Sequence, residues 1–252
     1  MFDSHLIFDS NIGQRKRSET IEGNPACPFC APDTLENIID AEDSIILVEN
    51  KYAVLRGTYQ TVLIETDKCD SELSLYDKDH LHSVFQFGIQ HWMKMAKGGQ
   101  FASVLFFKNH GPFSGGTIRH PHMQIVGLEN YDYSSRLCDQ YFEGITIDQN
   151  FGVTFTLSTK PMVGFFEFNV IMEGSKNIET FANYVQTGVH FVLNHYHSNC
   201  TSYNIFFYEW KEKIIAKIMP RFVTSPLYVG YGIPQTSTKI EELASKVKDT
   251  YF

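Results

Sequence analysis

The chain has 252 residues, of which 43% are hydrophobic and 20% charged, and its formal net charge is −8. This globular composition excludes a disordered chain, and the length is sufficient for a substantial hydrophobic core. Lys and Arg total 21 against 29 Asp and Glu, so the chain lacks the basicity typical of nucleic-acid binding, and we expect no nucleic-acid partner.

The N-terminal segment has no apolar core of signal-peptide length, and no apolar run approaches the roughly 18 residues of a membrane span. The chain contains five cysteines, an odd number that cannot all pair within one molecule. We therefore expect a cytoplasmic protein with reduced thiols and no membrane partner.

The first half of the chain predicts strands around one long helix. We expect residues 1–43 to be irregular, and β-branched runs predict strands over 44–49, 52–56 and 60–65. An acidic or serine cap at Asp70 and a helical apolar period predict a helix that ends before Gly98. Two further strands, 101–108 and 122–128, are joined by a glycine-rich segment.

The second half repeats this order of elements. Strands are predicted over 151–157 and 164–172, a helix over 178–196, and strands over 203–210 and 213–219, followed by a terminal helix over 238–251. Strand runs with segregated helices predict an α+β fold. The repeated order predicts two halves, residues 1–130 and 131–252.

The densest set of chemically active side chains lies between Asn109 and Gln124, in the sequence NHGPFSGGTIRHPHMQ. Small side chains in its centre allow backbone N–H groups to approach an anion closely, at Gly115, Gly116 and Thr117. Asn109 adds a side-chain amide. We expect His122 and Gln124 to share one face of a strand, carrying a nucleophile and a phosphate-contacting amide. We expect His120 on the other face, as a ligand or a structural histidine.

A second motif, Cys27-Pro-Phe-Cys30, lies in a proline-rich segment. It is compatible with two buried thiols, a redox pair or half of a zinc site. A thioredoxin-like redox site needs a preceding strand and a following helix, which the flanking prolines disfavour. A zinc site needs two more ligands, and Cys69 and His120 are candidates because thiolate and imidazole both suit Zn²⁺.

These motifs together resemble the galactose-1-phosphate uridylyltransferase-like nucleotidyltransferases of the histidine-triad superfamily. That family carries HPHxQ after a loop with Asn and Gly, and a CxxC zinc knuckle; here HPHMQ follows NHGPFSGGT, with CPFC upstream. The stretch Glu65-Thr-Asp-Lys-Cys69 resembles the family's Glu-Thr-x-x-His, with Cys69 in place of the zinc-binding histidine. The resemblance covers about residues 15–130.

The resemblance implies two histidine-triad-like halves, each an antiparallel sheet with a packed helix. It implies one structural zinc ion per chain, held by Cys27, Cys30, Cys69 and His120. It makes His122 the nucleophile and places Gln124 on the non-bridging phosphate oxygens. The residues implied to bind the nucleotide or its phosphates are Asn109, Gly115, Gly116, Thr117, Asn50, Phe29, Val48, Arg15 and Arg17. A solvated basic patch is the alternative for the two arginines.

The implied activity transfers a nucleoside monophosphate from a nucleoside diphosphate sugar to a phosphate or sugar phosphate, through a nucleotidyl-histidine. Gln124 stands where hydrolases of the superfamily have a third histidine, and because Gln cannot transfer a proton, transfer is favoured over hydrolysis. One alternative is a phosphorylase or hydrolase of nucleotide sugars or dinucleoside polyphosphates. Another is a noncatalytic nucleotide-binding protein, which the second half favours because Lys213 and Ile215 replace a histidine pair. The base, the acceptor and a homodimer are left open.

Overall fold

The structure, a computed structural model, describes residues 5–17, 27–196 and 200–252 and has the predicted α+β fold. The chain divides into two compact units. The first unit comprises Met1–Glu72, Gln86–Lys108 and Ile118–Arg136; the second comprises Leu73–Phe85, Asn109–Thr117 and Leu137–Phe252. No helix in the described ranges is long and apolar enough to cross a membrane.

The first unit contains a five-stranded sheet in which every neighbouring pair is antiparallel. Its strands are β1 (Ile38–Glu42), β2 (Ile45–Glu49), β3 (Thr58–Ile64), β4 (Ser103–His110) and β5 (His122–Leu128), in the spatial order β1-β2-β3-β5-β4. Helix α1 (Ser10–Arg17) belongs to this unit, as do residues 86–97 of helix α2 (Lys78–Lys97). The antiparallel pairing brings the end of β3 beside the start of β5, where Ile64 is the partner of His122.

Helix α2 approaches this sheet closely at Gly88. A Cβ atom added there would lie 2.9 Å from the ring of Phe106 and 3.2 Å from Leu63. One turn later, Trp92 donates from Nε1 to the carbonyl oxygen of Val104 at 3.0 Å. The sheet face opposite His122 is therefore covered by the helix.

Local hydrogen bonds explain three differences from the predicted elements. Residues 1–43 are not wholly irregular, because they contain β1 and α1, whose first turn is capped by the carboxylate of Asp9. No strand forms over 52–56, because Asn50 accepts from the Tyr52 N–H in a turn. Helix α2 begins at Lys78 because Asp77, not Asp70, accepts from the N–H of His80 at 3.0 Å.

The second unit also contains a five-stranded antiparallel sheet. Its strands are β6 (Gly144–Asn150), β7 (Val153–Ser158), β9 (Phe168–Glu173), β10 (Tyr203–Trp210) and β11 (Lys213–Pro220), in the spatial order β10-β11-β9-β7-β6. The helices are α3 (Ile178–Phe191), α4 (Pro226–Tyr231) and α5 (Ile240–Tyr251). A short parallel pair joins β8 (Gly164–Phe165) to β12 (Gln235–Thr236).

The predicted strand over 164–172 is split into β8 and β9, because Phe165 adopts a positive φ of 53°. The predicted helix over 178–196 is α-helical only to Phe191 and ends in a π-helical turn, Val192–Tyr196. Strand β6 and helix α4 were not predicted. Helix α3 also meets its sheet at a glycine, as α2 does at Gly88. A Cβ atom on Gly188 of α3 would lie 2.6 Å from Ile218.

Among the described residues, each unit buries one Lys–Glu ion pair. Lys108 pairs with Glu65 in the first unit, and Lys217 pairs with Glu167 at 2.9 Å in the second, with all four side chains almost wholly buried. Lys217 also donates to Asn169 Oδ1 at 2.8 Å. Burial lowers the pKa of Lys217, and the Glu167 carboxylate opposes that effect. These partners compensate the cost of removing the charges from water.

Candidate metal centre and active site

The predicted metal ligands Cys27, Cys30, Cys69 and His120 come together in the first unit. Their sulfur and nitrogen ligand atoms all lie within 4.8 Å of one another. His120 Nδ1 is 3.6 Å from the sulfur of Cys27 and 3.6 Å from that of Cys30. Around a tetrahedral zinc ion with bonds of about 2.3 Å to sulfur and 2.0–2.1 Å to nitrogen, neighbouring ligands are about 3.5–3.8 Å apart. The cluster fits zinc.

The fold explains why ligands distant in sequence converge. Cys27 precedes a tight turn, Pro28–Cys30, and Cys30 is its last residue. The Cys30 N–H donates to the Cys27 carbonyl oxygen at 3.2 Å. Cys69 follows β3 and His120 precedes β5, which are neighbouring antiparallel strands. Both candidate ligands therefore lie at the same end of these two strands.

The hydrogen bonding of His120 suits a metal ligand. Its Nε2 lies 2.7 Å from the carbonyl oxygen of Thr66. A carbonyl can only accept, so Nε2 carries the proton and the lone pair is on Nδ1, the atom that faces the cysteines. Thr66 was not among the predicted site residues, because a backbone carbonyl leaves no side-chain signal in the sequence.

The thiols of Cys27 and Cys69 are protonated near neutral pH when no cation is bound. Burial raises the pKa of Cys27, and burial together with hydrogen bonds from the neighbouring thiols raises that of Cys69 to about 12. All five cysteines of the chain are free. A divalent cation would favour the thiolate forms and displace these protons, as expected of a zinc–thiolate site.

His122 is the first residue of β5 and is buried. Its Nδ1 lies 2.7 Å from the carbonyl oxygen of His120. Because Nδ1 must donate, the lone pair is on Nε2.

One face of the first sheet places His122 and Gln124 beside apolar side chains. Directly paired residues of antiparallel strands share a face. Across β2, β3 and β5, one row on this face is Val48, Val62 and Gln124, and the next row is Ile46, Ile64 and His122. We call the apolar part of this face the apolar strip; its residues are Val48, Val62 and Ile64, with Phe29, Leu35 and Ile46 packed against them. The strip offers an apolar surface next to the candidate nucleophile.

The prediction that His120 and His122 lie on opposite faces was wrong. Residues two apart in a strand point the same way, so strand alternation would not separate the two histidines. His120 also lies outside the strand, because β5 begins at His122. The ring of Phe29 contacts both imidazoles, with centroid distances of 5.8 Å to His120 and 5.5 Å to His122. The different hydrogen bonds of the two histidines, not different faces, separate their chemistry.

The other residues predicted to contact the nucleotide have mixed surroundings. Phe29 and Val48 belong to the apolar strip. Asn50 follows β2 and uses its side-chain oxygen to accept from the N–H of Tyr52 at 3.0 Å. Arg15 is exposed on α1, and the side chain of Arg17 lies outside the described residues.

The glycine-rich loop Asn109–Thr117 belongs to the second unit. Gly111 and Gly115 adopt positive φ angles of 83° and 87°, which favour glycine. Ser114 donates to the carbonyl oxygen of Gly111 at 2.7 Å and accepts from the Gly116 N–H at 3.2 Å. Gly115 and Thr117 are exposed. The role of these residues in phosphate binding stays a prediction.

Solved structures of other proteins have the same fold. An ADP-glucose phosphorylase from Arabidopsis thaliana, solved with bound ADP-glucose, has a TM-score of 0.71 at 16% identity over 92% of each chain. A uridylyltransferase has a TM-score of 0.70 at 17% identity over 89% of this chain and 90% of that chain. The fold is that of the galactose-1-phosphate uridylyltransferase-like proteins, as the resemblance predicted.

The sequence matches two domains that are each described as a domain of unknown function, the DUF4931 N-terminal domain over residues 8–131 and the DUF4931 C-terminal domain over 134–252. A DUF4931 family protein from Bacillus cereus ATCC 10987 is 45% identical, with a TM-score of 0.78, over 85% of this chain and 99% of that chain. The chain belongs to the DUF4931 family. Among curated proteins, none matches the sequence.

Proposed function

We propose that this protein is a nucleotidyltransferase that moves a nucleoside monophosphate from a nucleoside diphosphate sugar to a phosphate or sugar phosphate. The observation that carries the proposal is the hydrogen bond from His122 Nδ1 to the His120 carbonyl oxygen at 2.7 Å. It holds the imidazole in the tautomer whose Nε2 can attack phosphorus, with Gln124 on the same face.

In the first step, Nε2 of His122 forms a bond to the α-phosphorus of the donor. The bond from that phosphorus to the bridging oxygen breaks, and the sugar 1-phosphate leaves with the electron pair. The imidazole gains positive charge, which the acceptor carbonyl of His120 stabilises through the Nδ1 proton. The amide of Gln124 donates to a non-bridging oxygen of the phosphorus.

In the second step, an oxygen of the acceptor phosphate attacks the same phosphorus and the bond to Nε2 breaks, which restores neutral His122. The amide of Gln124 neither accepts nor supplies a proton near neutral pH, so this residue cannot act as a general base toward water. That property supports transfer to a phosphate acceptor over hydrolysis. With inorganic phosphate as the acceptor, the same chemistry is a phosphorolysis.

We assign the metal cluster a structural role. Three cysteines and one histidine complete a four-ligand set, with no position left for a substrate. When bound, zinc would hold the turn Pro28–Cys30 against the strand ends and thereby place Phe29 beside His122. Because thiolate ligands require reduced cysteines, we propose a cytoplasmic location for the protein.

The test is covalent trapping of the intermediate. The full chain is incubated separately with UDP-glucose, UDP-galactose, ADP-glucose and diadenosine tetraphosphate, and acid-labile nucleotidyl adducts are sought by mass spectrometry. We expect an adduct on His122 with at least one donor, absent from His122→Ala. His82→Ala is the matched control, because His82 lies on α2 and contacts Asn183, and it should retain the adduct.

The outcomes separate the alternatives. An adduct that persists in His122→Ala contradicts the assignment of the nucleophile. Turnover of the donor that requires only water would indicate a hydrolase. Nucleotide binding without an adduct or turnover across all four donors would indicate a noncatalytic nucleotide-binding protein.

A further inference from the structure

A chain of hydrogen bonds in the second unit ends at Asn109. Arg221, which follows β11, donates from its guanidinium to Asn204 Oδ1 at 3.1 Å. Asn204, on β10, donates from Nδ2 to Asn109 Oδ1 at 2.6 Å and to the Ser114 carbonyl oxygen at 3.0 Å. Asn204 is 1% exposed, so water does not compete for these bonds.

The chemistry of the three side chains sets the direction of every bond. A guanidinium can only donate, so it fixes Asn204 with its oxygen toward Arg221 and its nitrogen toward Asn109. Asn109 must then present its oxygen to Asn204. This series of hydrogen bonds consequently orients the Asn109 amide so that its Nδ2 can donate to a further group.

The segment that carries Asn204 also holds the glycine-rich loop by its backbone. A Cβ atom on Gly111 would lie 2.2 Å from the Thr201 carbonyl oxygen, so only glycine allows this approach. The N–H of Phe113 donates to Ser202 Oγ at 3.1 Å. The N–H of Arg221 donates to the Ser202 carbonyl oxygen at 2.8 Å. The loop, β10 and the residue after β11 are thus linked at several points.

We propose that Arg221 and Asn204 are positioning residues that orient the Asn109 amide as a hydrogen-bond donor to the phosphate groups of a nucleotide. This inference rests on the proposed function and deepens it. A phosphate oxygen only accepts, so the orientation of one amide decides whether Asn109 attracts or repels the ligand. The second half of the chain would thereby contribute to nucleotide binding although it lacks a histidine pair.

The substitution Asn204→Asp separates orientation from simple packing. A carboxylate keeps the bond with Arg221 but cannot donate to Asn109 or to Ser114. Asn109 would then turn its nitrogen toward the carboxylate and its oxygen toward the ligand. We expect nucleotide affinity to fall about tenfold or more. A new ion pair with Arg221 offsets part of the stability lost with the bond to the Ser114 carbonyl oxygen, so the thermal unfolding of this variant is measured beside its affinity.

The experiment measures binding of UMP, AMP and inorganic phosphate to the full chain by calorimetry, with thermal unfolding of each variant as a check on folding. Arg221→Met should weaken nucleotide binding about tenfold. Combined with Asn109→Ala, it should weaken binding no further than Asn109→Ala alone, because both act through one amide. Lys213→Met is the control, since it removes an exposed cation from the same β11 strand and should leave affinity within about twofold.

A second readout needs no ligand. The side-chain NH₂ signals of Asn109, observed by ¹⁵N NMR, should shift or broaden in Arg221→Met and return toward the wild-type position in Arg221→Lys, which restores a donor. Additive effects in the binding cycle together with unchanged Asn109 signals would overturn the proposal. Absence of binding of all three probes to the wild-type chain would overturn it together with the proposed function.

The positioning role and the proposed function can fail separately. A wild-type chain that binds nucleotide and shows the non-additive cycle, but forms no adduct on His122, supports the positioning role and contradicts the transferase. A chain that forms the adduct at the same rate in Arg221→Met and in wild type, with unchanged affinity, contradicts the positioning role alone.

Discussion

Two histidines separated by one proline have different chemistry because their hydrogen-bond partners differ. His120 uses Nε2 to bond the Thr66 carbonyl and directs Nδ1 at the cysteines. His122 uses Nδ1 to bond the His120 carbonyl and keeps its lone pair on Nε2. The tautomer of each ring is therefore set by the backbone, and the same side chain is a candidate metal ligand in one case and a candidate nucleophile in the other.

At the residue scale, we predict that Cys69 is required for metal retention. The purified chain should contain about one zinc ion, and Cys69→Ala should lose most of it because three ligands bind less tightly than a closed set of four. Zinc per chain is measured by mass spectrometry of the metal. Cys138→Ala is the control, since Cys138 is an exposed free cysteine outside the cluster. Full retention of zinc in Cys69→Ala would remove Cys69 from the ligand set.

Strand β11 carries the lysines of a buried and of an exposed ion pair, which can be compared. Lys217 and Glu167 are buried and further bonded, with Glu167 accepting from the N–H groups of Met162 and Val163. Lys213 and Glu173, paired at 2.7 Å, are exposed. Burial, rather than the distance between the charges, determines what each pair contributes to stability.

We predict that Lys217→Met lowers the free energy of unfolding by about 3–5 kcal/mol, because the Glu167 carboxylate loses its buried counterion. The double variant Lys217→Met with Glu167→Gln should recover part of this loss. Lys213→Met should cost less than about 1 kcal/mol. Urea unfolding measures all three, and equal costs at Lys217 and Lys213 would contradict the prediction.

Gly188 allows α3 to approach its sheet closely, because it has no side chain. Alanine would gain about 1 kcal/mol of helix propensity, but its Cβ would lie 2.6 Å from the end of Ile218. Overpacking of this kind costs about 1–3 kcal/mol, so we expect Gly188→Ala to be destabilising by about 1 kcal/mol. Adding Ile218→Val, which removes the contacting methyl group, should restore stability. Gly230→Ala on α4, where an added Cβ meets nothing within 4 Å, should not destabilise.

At the scale of the whole molecule, the two units share an architecture but not the candidate chemistry. Each has a five-stranded antiparallel sheet, a glycine where a long helix meets the sheet, and one buried Lys–Glu pair. The metal cluster and His122 belong to the first unit. The second unit contains the glycine-rich loop and, by our inference, the residues that orient it.

The pH dependence of stability is a second property of the whole molecule. Burial raises the pKa of Tyr251 from 10.0 to about 12, and burial with the Asp148 hydrogen bond raises that of Tyr184. The folded state therefore holds these protons more tightly than the unfolded state. Their stabilisation is complete below about pH 10 and is lost as the pH rises toward about 12.

Unfolding free energies measured from pH 8 to pH 12 should consequently fall above about pH 10. Tyr251→Phe should make that fall shallower, whereas Tyr231→Phe, at a tyrosine that is 77% exposed, should leave it unchanged. A decline that is equally steep in Tyr251→Phe would contradict the assignment to this residue.

The sequence by itself was sufficient for the α+β class, and its motifs indicated the four side chains that come together as a candidate metal site. Periodicity reports which elements form, and Cys and His are informative at any distance because few other side chains bind zinc. Element ends were less predictable, as α2 shows: Asp70 and Asp77 are both acceptable caps in the sequence, and the structure uses Asp77. The proposed division at residue 130 stays a prediction.

Only the tertiary structure decided which atoms meet. The register of β2, β3 and β5 places Val48, Val62 and Gln124 in one row, and no local pattern encodes that register. The tautomers of His120 and His122 depend on backbone carbonyls, which every residue possesses. The bonds from Arg221 through Asn204 to Asn109 join segments about 100 residues apart, so they exist only because the chain folds back on itself.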